Sequence, residues 1–445
     1  MSGVKQWTVT NSPLAGDRYD DVFFINSMRG WAVKTGRIFD TSDGGKTWRQ
    51  SEQTFIGNLR CIVFANEMQG WFGSWSGALT DRLHATTDGG ISWYPVNLPK
   101  AGNHVDAVCG MSIPSGEKNT VYAVGKNYPD KPPGIFKSAD RGANWAFIDM
   151  AIHANCLIDV FFATPTTGWA VGGIGTGGGG DPRKPLKAVV LYTTDGGVTW
   201  QDQTAALRQT EKWPASEWCW KMYFLNDRSG YISIESPLRN AFLKTTDGGA
   251  SWNRFEFPTE LSDGTVVSSR QGVGFISDKL GWLGGRGDFP GTVVTVDGGA
   301  TWKPHTDSQV LALVNRFRAV ANDPSIMYAA GKYIYKYSDE DSAQIAQHCS
   351  KGVSSPAKCM QARIEGAVLW VTLNDDSRAL LSVEATVYLS DPFGRPLASL
   401  NHKSGYDEPA EMGWKIPSDV FATRSLCIRL VCGEHVEALE IFFAS

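Results

Sequence analysis

Apolar and polar residues alternate along most of this chain in short runs, the period of a half-buried strand, and Gly-rich turns separate them. One grammar recurs. An apolar run comes first, such as Val22-Phe23-Phe24, Ile62-Val63-Phe64, Val160-Phe161-Phe162, Met222-Tyr223-Phe224 or Gly274-Phe275-Ile276. A second run opens on Gly and an aromatic residue, as in Gly30-Trp31, Gly70-Trp71, Gly168-Trp169, Gly230-Tyr231 and Gly281-Trp282. The third leads into a turn of the form Thr-x-Asp-Gly-Gly-x-Thr/Ser-Trp, and a fourth follows its Trp. That turn, or a close variant, occurs six times, at Asp43, Asp88, Asp140, Asp195, Asp247 and Asp297, in steps of 45 to 55 residues. A period of this size marks a repeated supersecondary unit.

Asp-Gly and Gly-Gly between alternating runs are hairpin signals, because the turn needs positive φ. The six Asp residues are therefore expected to be structural, bonding the turn's own N–H groups. Four short antiparallel strands per repeat predict a propeller blade. A seventh unit, Phe317-Arg-Ala-Val, Met327-Tyr-Ala-Ala and Tyr333-Ile-Tyr-Lys-Tyr337, stops one strand short. Gln6-Trp7-Thr8-Val9-Thr10 is a strand without a blade, and adding it would remove an unpaired edge. The expectation is an all-β chain. Residues 1–340 form a seven-bladed β-propeller whose N-terminal strand closes the last blade, 341–360 a linker, and 361–445 a small β-sandwich-like domain of alternating strands.

Gly-Trp-Ala-Val-Gly together with Thr-x-Asp-Gly-Gly-x-Thr-Trp resembles the photosystem II stability and assembly factor-like family of Asp-box (BNR-type) propellers. More distantly it is similar to sialidase, sortilin and xyloglucanase-type propellers. The resemblance spans about residues 5–340 and is specific for fold. What it implies about function is broad, since that group includes assembly factors, receptors, lectin-like binders and glycosidases.

Composition narrows the classes. The chain has 445 residues, 42% hydrophobic and 20% charged, with 42 basic and 46 acidic side chains and a formal charge of −4. It can bury a large core, and no basic stripe points to nucleic acid. No apolar run is long enough to span a membrane. Met1-Ser-Gly-Val-Lys-Gln-Trp leads straight into the closing strand, so a cytoplasmic location is expected, with export after loss of a leader as the alternative. Eight Cys are scattered without a CxxC. Cys61, Cys109, Cys156 and Cys219 fall in or near inner strands as small buried hydrophobes, while Cys349 with Cys359, or Cys427 with Cys432, could pair. No cofactor is indicated.

Function is expected on one face. Connections between second and third strands and between blades emerge together, opposite the Asp turns. The long excursions 74–82, 126–133, 173–185, 285–290 and 201–219 fall in that class. Two sequences within them tempt a motif reading, Gly172–Gly180 as a phosphate loop and Arg286-Gly-Asp288 as an adhesion tripeptide. The first lacks the Gly-Lys-Ser/Thr ending and reads as a flexible insertion. Inner strands start on the same face, around the channel. Alignment on Gly-Trp places Asp20 with Asp21, Arg60, Asp159, Lys221 and Gln271 at equivalent or adjacent levels, with His104, Asp106, Arg316 and Arg318 as neighbours. Mixed charges there suit a polar ligand. His104 and Asp106 share a strand face, yet no metal site is indicated. Trp75, Trp213, Trp218 and Trp220 are candidate aromatic platforms for a sugar or a protein.

Three functions follow from these residues. The favoured one is a non-catalytic binding or assembly propeller that recognises a protein or polar ligand on the loop-rich face. The C-terminal domain would be available for self-association. A carbohydrate-active enzyme or lectin is the alternative, and a biosynthetic enzyme with a channel-mouth site the third. A sialidase-like site would need an Arg trio, for which Arg60, Arg270 and Arg316 are the available residues, but only Gly36-Arg37-Ile38-Phe39 partly echoes that family's phrase. Inverting glycosidase chemistry would need a spaced carboxylate pair such as Asp20 and Asp159. No catalytic residue can be named.

Overall fold

In the computed structural model the described residues are 5–13, 17–75, 82–103, 105–126, 133–175, 186–236, 239–258, 270–285, 291–305, 311–320 and 323–338. Beyond these come the strand segments 360–365, 368–373, 385–390, 396–402, 411–415, 425–432 and 435–442. Contacts divide the chain into two compact units, one of them Thr8–His305 with Val310–Tyr337, the other centred on Ser338–Ser445.

The first unit is built of antiparallel four-stranded meanders. After β1 (Gln6–Val9) come β2 (Tyr19–Phe24), β3 (Gly30–Lys34), β4 (Arg37–Thr41) and β5 (Arg49–Gln50). The next group is β6 (Asn58–Phe64), β7 (Gly70–Trp75), β8 (Leu83–Thr86) and β9 (Tyr94–Pro95). It is followed by β10 (Ala107–Ser112), β11 (Val121–Lys126), β12 (Gly134–Ser138) and β13 (Ala146–Asp149). Then come β14 (Cys156–Phe162), β15 (Gly168–Gly175), β16 (Leu186–Thr193) and β17 (Gln201–Asp202), and β18 (Trp218–Phe224), β19 (Gly230–Glu235), β20 (Asn240–Thr245) and β21 (Asn253–Phe257). The last strands are β22 (Arg270–Phe275), β23 (Gly281–Gly285), β24 (Thr292–Thr295) and β25 (Lys303–Pro304), then β26 (Arg316–Val320), β27 (Asp323–Ala330) and β28 (Ile334–Ser338). Each group pairs in chain order, with one irregularity. A single pairing of Ala107 with Trp75 joins β6–β9 and β10–β13 into one eight-stranded sheet.

The final group has the order β1-β28-β27-β26, so the first strand of the chain completes the last sheet. Thr10 donates its N–H and its hydroxyl to the Ile334 carbonyl, both at 2.9 Å, and Ile334 N–H donates to Ser12 Oγ at 3.0 Å. These sheets form a β-propeller.

The repeated phrases now have physical reasons. The aromatic residue of most Gly-aromatic pairs packs on the inner-strand Phe of the next sheet, as Trp31 does on Phe64 with ring centres 3.5 Å apart and Tyr231 on Phe275 at 3.6 Å; Trp71, whose next inner strand has no Phe, clusters with Met111 instead. The preceding Gly seats the Phe of its own sheet, since a Cβ on Gly30 would stand 2.5 Å from the Phe24 ring. In the Asp turn, Thr41 Oγ1 donates to Asp43 at 2.8 Å and accepts from Gly45 N–H at 3.0 Å. Thr47 N–H donates to the same carboxylate at 2.9 Å. The first Gly of the turn then offers its carbonyl to the neighbouring sheet. Gly89 accepts from Trp31 Nε1 and Arg29 Nη2, both at 2.9 Å; Gly196 accepts from the Tyr122 hydroxyl and Lys137 Nζ, both at 2.8 Å. The turn is thus an inter-sheet clamp as well as a hairpin. The third copy has Arg141 where the others have Gly, and it takes φ 61° all the same. Cys61, Cys109, Cys156 and Cys219 are buried thiols not joined in a disulfide.

The second unit contains β29 (Met360–Glu365), β30 (Val368–Leu373), β31 (Ala385–Ser390), β32 (Pro396–His402), β33 (Glu411–Lys415), β34 (Ser425–Cys432) and β35 (His435–Phe442). They form an antiparallel sheet β29-β30-β33 and a second, β32-β31-β34-β35. Cys349 and Cys359, like the side chains of Cys427 and Cys432 on β34, lie outside the described residues. Among the described residues no helix is long and apolar enough to cross a membrane.

Candidate functional site

Six of the inner strands carry a register shift near their start, between Tyr19 and Asp21, Leu59 and Cys61, Val108 and Gly110, Leu157 and Asp159, Cys219 and Met222, and Arg270 and Val273. A bulge re-aims the side chains beside it. Here it delivers polar groups from different sheets into one buried cluster around the channel.

Arg316 on β26 is its hub. It grips Asp159 of β14 through two parallel bonds, Nη1 to Oδ2 at 2.7 Å and Nη2 to Oδ1 at 2.9 Å, and its Nε lies 3.3 Å from Asp21 Oδ1 on β2. Asp21 also accepts from Arg318 Nε and Nη2, at 3.0 and 2.9 Å. Each carboxylate accepts one main-chain N–H from the next inner strand: Asp21 from Ile62 at 3.1 Å, Asp159 from Met222 at 3.0 Å. Lys221 Nζ reaches from β18 to the Cys109 carbonyl on β10 at 3.2 Å. Asp21, Asp159 and Lys221 expose 0 to 1% of their surface.

Burial alone would raise the two carboxyls, but Arg318 and Arg316 beside Asp21, and Arg316 and Lys221 beside Asp159, outweigh it and hold both below the usual range. Burial, reinforced by Arg316, pushes Lys221 down to about 8.

A second layer lies one residue nearer the strand starts. Arg60 on β6 donates to Asp20 at 3.2 Å, and Arg18 pairs with the same carboxylate at 3.1 Å while bonding Gln271 of β22. Gln271 donates to Glu235 on β19 at 2.6 Å. Trp220 Nε1 donates to Asn315 at 2.7 Å and the Arg60 guanidinium sits 5.5 Å from the Trp220 ring centre, while Asn315 donates to the Asp20 carbonyl at 2.7 Å. Side chains from every sheet of the unit except β10–β13, which contributes the Cys109 carbonyl, therefore meet across the channel.

Residues 137–268 match the model of the family described as "Photosynthesis system II assembly factor YCF48". Among solved structures the chain is similar to YCF48 from Cyanidioschyzon merolae, with a TM-score of 0.53 and 16% identity over 75% of this chain and 99% of that one. The chain carries a BNR-type, YCF48-like β-propeller. That YCF48-like fold is also similar to a GH74 enzyme from Niastella koreensis, TM-score 0.51 and 12% identity over 97% of this chain and 67% of that one. Hydrazine synthase from Kuenenia stuttgartiensis is similar too, TM-score 0.50 and 10% identity over 74% and 96%. These identities speak for the fold only. No curated protein matches at the level of sequence.

Within this YCF48-like propeller, Asp20, Arg60, Asp159 and Lys221, aligned on Gly-Trp, lie in the buried cluster together with Arg316, expected as a neighbour. They are neither solvated strand ends nor presented to solvent: their groups are spent on one another. Asp106 stands apart, 3.6 Å from Arg82. His104 lies outside the described residues, as do most of the excursions 74–82, 126–133, 173–185 and 285–290 with the Gly-rich stretch and Arg286–Asp288. Trp213 is buried in the core with Nε1 on the Ala188 carbonyl at 2.9 Å. It anchors excursion 201–219 to β16. Trp218 is half-buried at the start of β18, and Trp75 is 41% exposed at the end of β7. Of the Arg trio, Arg60 pairs with Asp20 and Arg316 with Asp159, while Arg270 donates to the Gly291 carbonyl at 3.5 Å. The Asp-turn carboxylates stay within their turns. Burial raises Asp88 slightly, but the Ser92 and Thr86 bonds hold it at about 2.

Sequence reasoning missed Arg18 and Glu235. Glu235 closes the apolar strand Gly230–Glu235 and is buried, so a charge at the end of an apolar run was the available signal. Arg18 precedes its strand and gave none.

Proposed function

We propose that this protein is a non-catalytic binding and assembly propeller, seven-bladed, with a C-terminal β-sandwich-like domain, and that it grips a protein partner on the face opposite its Asp turns. The match to an assembly-factor family supports the class of function. One observation carries the non-catalytic reading. The channel carboxylates Asp21 and Asp159 are each held by guanidinium and main-chain N–H donors, below their ordinary range. A glycosidase needs a carboxyl raised enough to donate a proton, beside a second that is free to act. These two are locked as anions and spent as acceptors.

The partner would meet the channel rim, where Trp75 and Trp218 keep exposed surface, together with excursion 201–219. That excursion is rigid at its base through Trp213 and through Lys187 Nζ on the Arg208 carbonyl at 2.7 Å. Rigid anchoring lowers the ordering cost of binding. The test is affinity capture with the full chain, alongside turnover of a chromogenic glycoside panel. The reading expects one stoichiometric protein partner, lost when 201–219 is shortened, and no turnover. Robust glycoside hydrolysis abolished by Asp159→Asn would overturn it.

A further inference from the structure

The Asp-turn face, opposite the one proposed for the partner, carries a cleft of about 340 Å³ where sheet β2–β5 meets β6–β9. On its floor Asp40 accepts from Arg29 Nη1 at 2.5 Å and from Arg49 Nε at 2.9 Å. Arg29 is fully engaged, donating also to the Thr41 and Gly89 carbonyls at 3.1 and 2.9 Å and lying 4.5 Å over the Trp31 ring. Arg49 differs. Its side chain is 57% exposed, and Asp40 takes its Nε, leaving the outer edge of the guanidinium toward the cleft. The exposed Glu67 lines the same cleft and accepts Asn26 Nδ2 through Oε1 at 3.2 Å.

Met68 and Ile91, 55% and 63% exposed, line the cleft together with these charges. Met28, 51% exposed, sits on the adjoining turn, which the Asn26–Glu67 bond ties to the turn of Met68. Large apolar side chains exposed together mark interaction sites more often than isolated ones do, and Met adapts to varied guests. A cation, an anion and an apolar strip in one cleft define a guest.

We propose that this cleft is a second docking site, for a short segment of a partner protein that presents an apolar side chain between one acidic and one basic residue. The acidic residue pairs with Arg49, the basic one with Glu67, and the apolar side chain lies on Met68 and Ile91. Charge complementarity selects against segments of a single sign. The turn's own acceptors take no part, because Asp88 is already satisfied by Thr86 and Ser92.

The experiment is an NMR titration of the full chain, methyl-labelled at Met, with the blocked peptide acetyl-Gly-Glu-Leu-Lys-Gly-amide. Controls replace its Leu by Gly or its Glu by Lys. The Met68 signal is assigned by Met68→Leu. It should move saturably with weak, millimolar affinity, and the controls should bind about tenfold more weakly. Arg49→Ala and Glu67→Gln, both surface changes, should each abolish the saturation while the other Met signals keep their positions. A Met68 signal unmoved by the peptide, equal responses to the single-sign control, or unchanged binding in both variants would overturn the proposal.

Discussion

Replacing Arg316 with Met is the sharpest test of the channel cluster. The change keeps much of the side chain's bulk and removes the guanidinium that holds Asp159 by two bonds and approaches Asp21. Arg316 and both carboxylates are almost wholly buried, so solvent cannot replace the lost partner. Breaking a buried pair by removing one member costs about 3–5 kcal/mol, because an uncompensated charge stays behind. Asp21 keeps Arg318, and Asp159 keeps Lys221 and the Met222 N–H, which places the expected loss near the lower end, about 3 kcal/mol. With a urea slope of about 3 kcal/mol/M, the unfolding midpoint should fall by about 1 M.

Intrinsic Trp fluorescence would follow the transition. The carboxyls add a second signature. Their folded values lie below the unfolded ones, so their contribution is present above about pH 4 and is lost as pH falls through the folded values. In Arg316→Met that loss should begin at higher pH. Adding Asp159→Leu should cost less than the sum of the single changes, by more than about 1 kcal/mol. A single-variant loss under about 1 kcal/mol, the range of an exposed pair, would refute the reasoning.

Lys221 predicts a trend of the same sign in a second window, at alkaline pH. Its folded value near 8 lies below the ordinary 10.5, so between the two the unfolded chain binds more protons and stability should rise with pH. Denaturant melts across that window should show the rise, and Lys221→Met should flatten it. Thr86→Val removes a fully buried hydroxyl that serves Gly90 N–H and Asp88, and should cost about 1–3 kcal/mol by thermal melting. Arg141→Gly relieves a non-Gly residue at φ 61°, so it should be neutral or stabilising by less than about 1 kcal/mol, offset by loss of its bond to Asn119. A melting temperature several degrees lower would contradict that account.

The meanders were legible because their signals are local. Asp-Gly-Gly demands a positive-φ turn wherever it stands, and Gly before Trp31 or Trp71 has a steric reason within its own hairpin. The level of Asp20, Arg60, Asp159 and Lys221 was legible for the same reason, since each sits nine or ten residues before a Gly-aromatic pair. Their pairing was not. Arg316 finds Asp159 and Asp21 across the whole circuit of the sheets, and no periodicity reports which charges will face one another there. Nor does composition separate Trp213, which fills the core, from Trp75, which does not.

The strand that seals the last sheet is made before every other described strand, and Thr10 and its partner Ile334 on the docking edge are 324 residues apart in the chain. Thr10 must therefore wait while all the intervening sheets are made. A nascent chain arrested before Arg316 lacks both that hub and the closing seam, so incomplete products would present an open edge to quality-control proteases that the finished circle withholds.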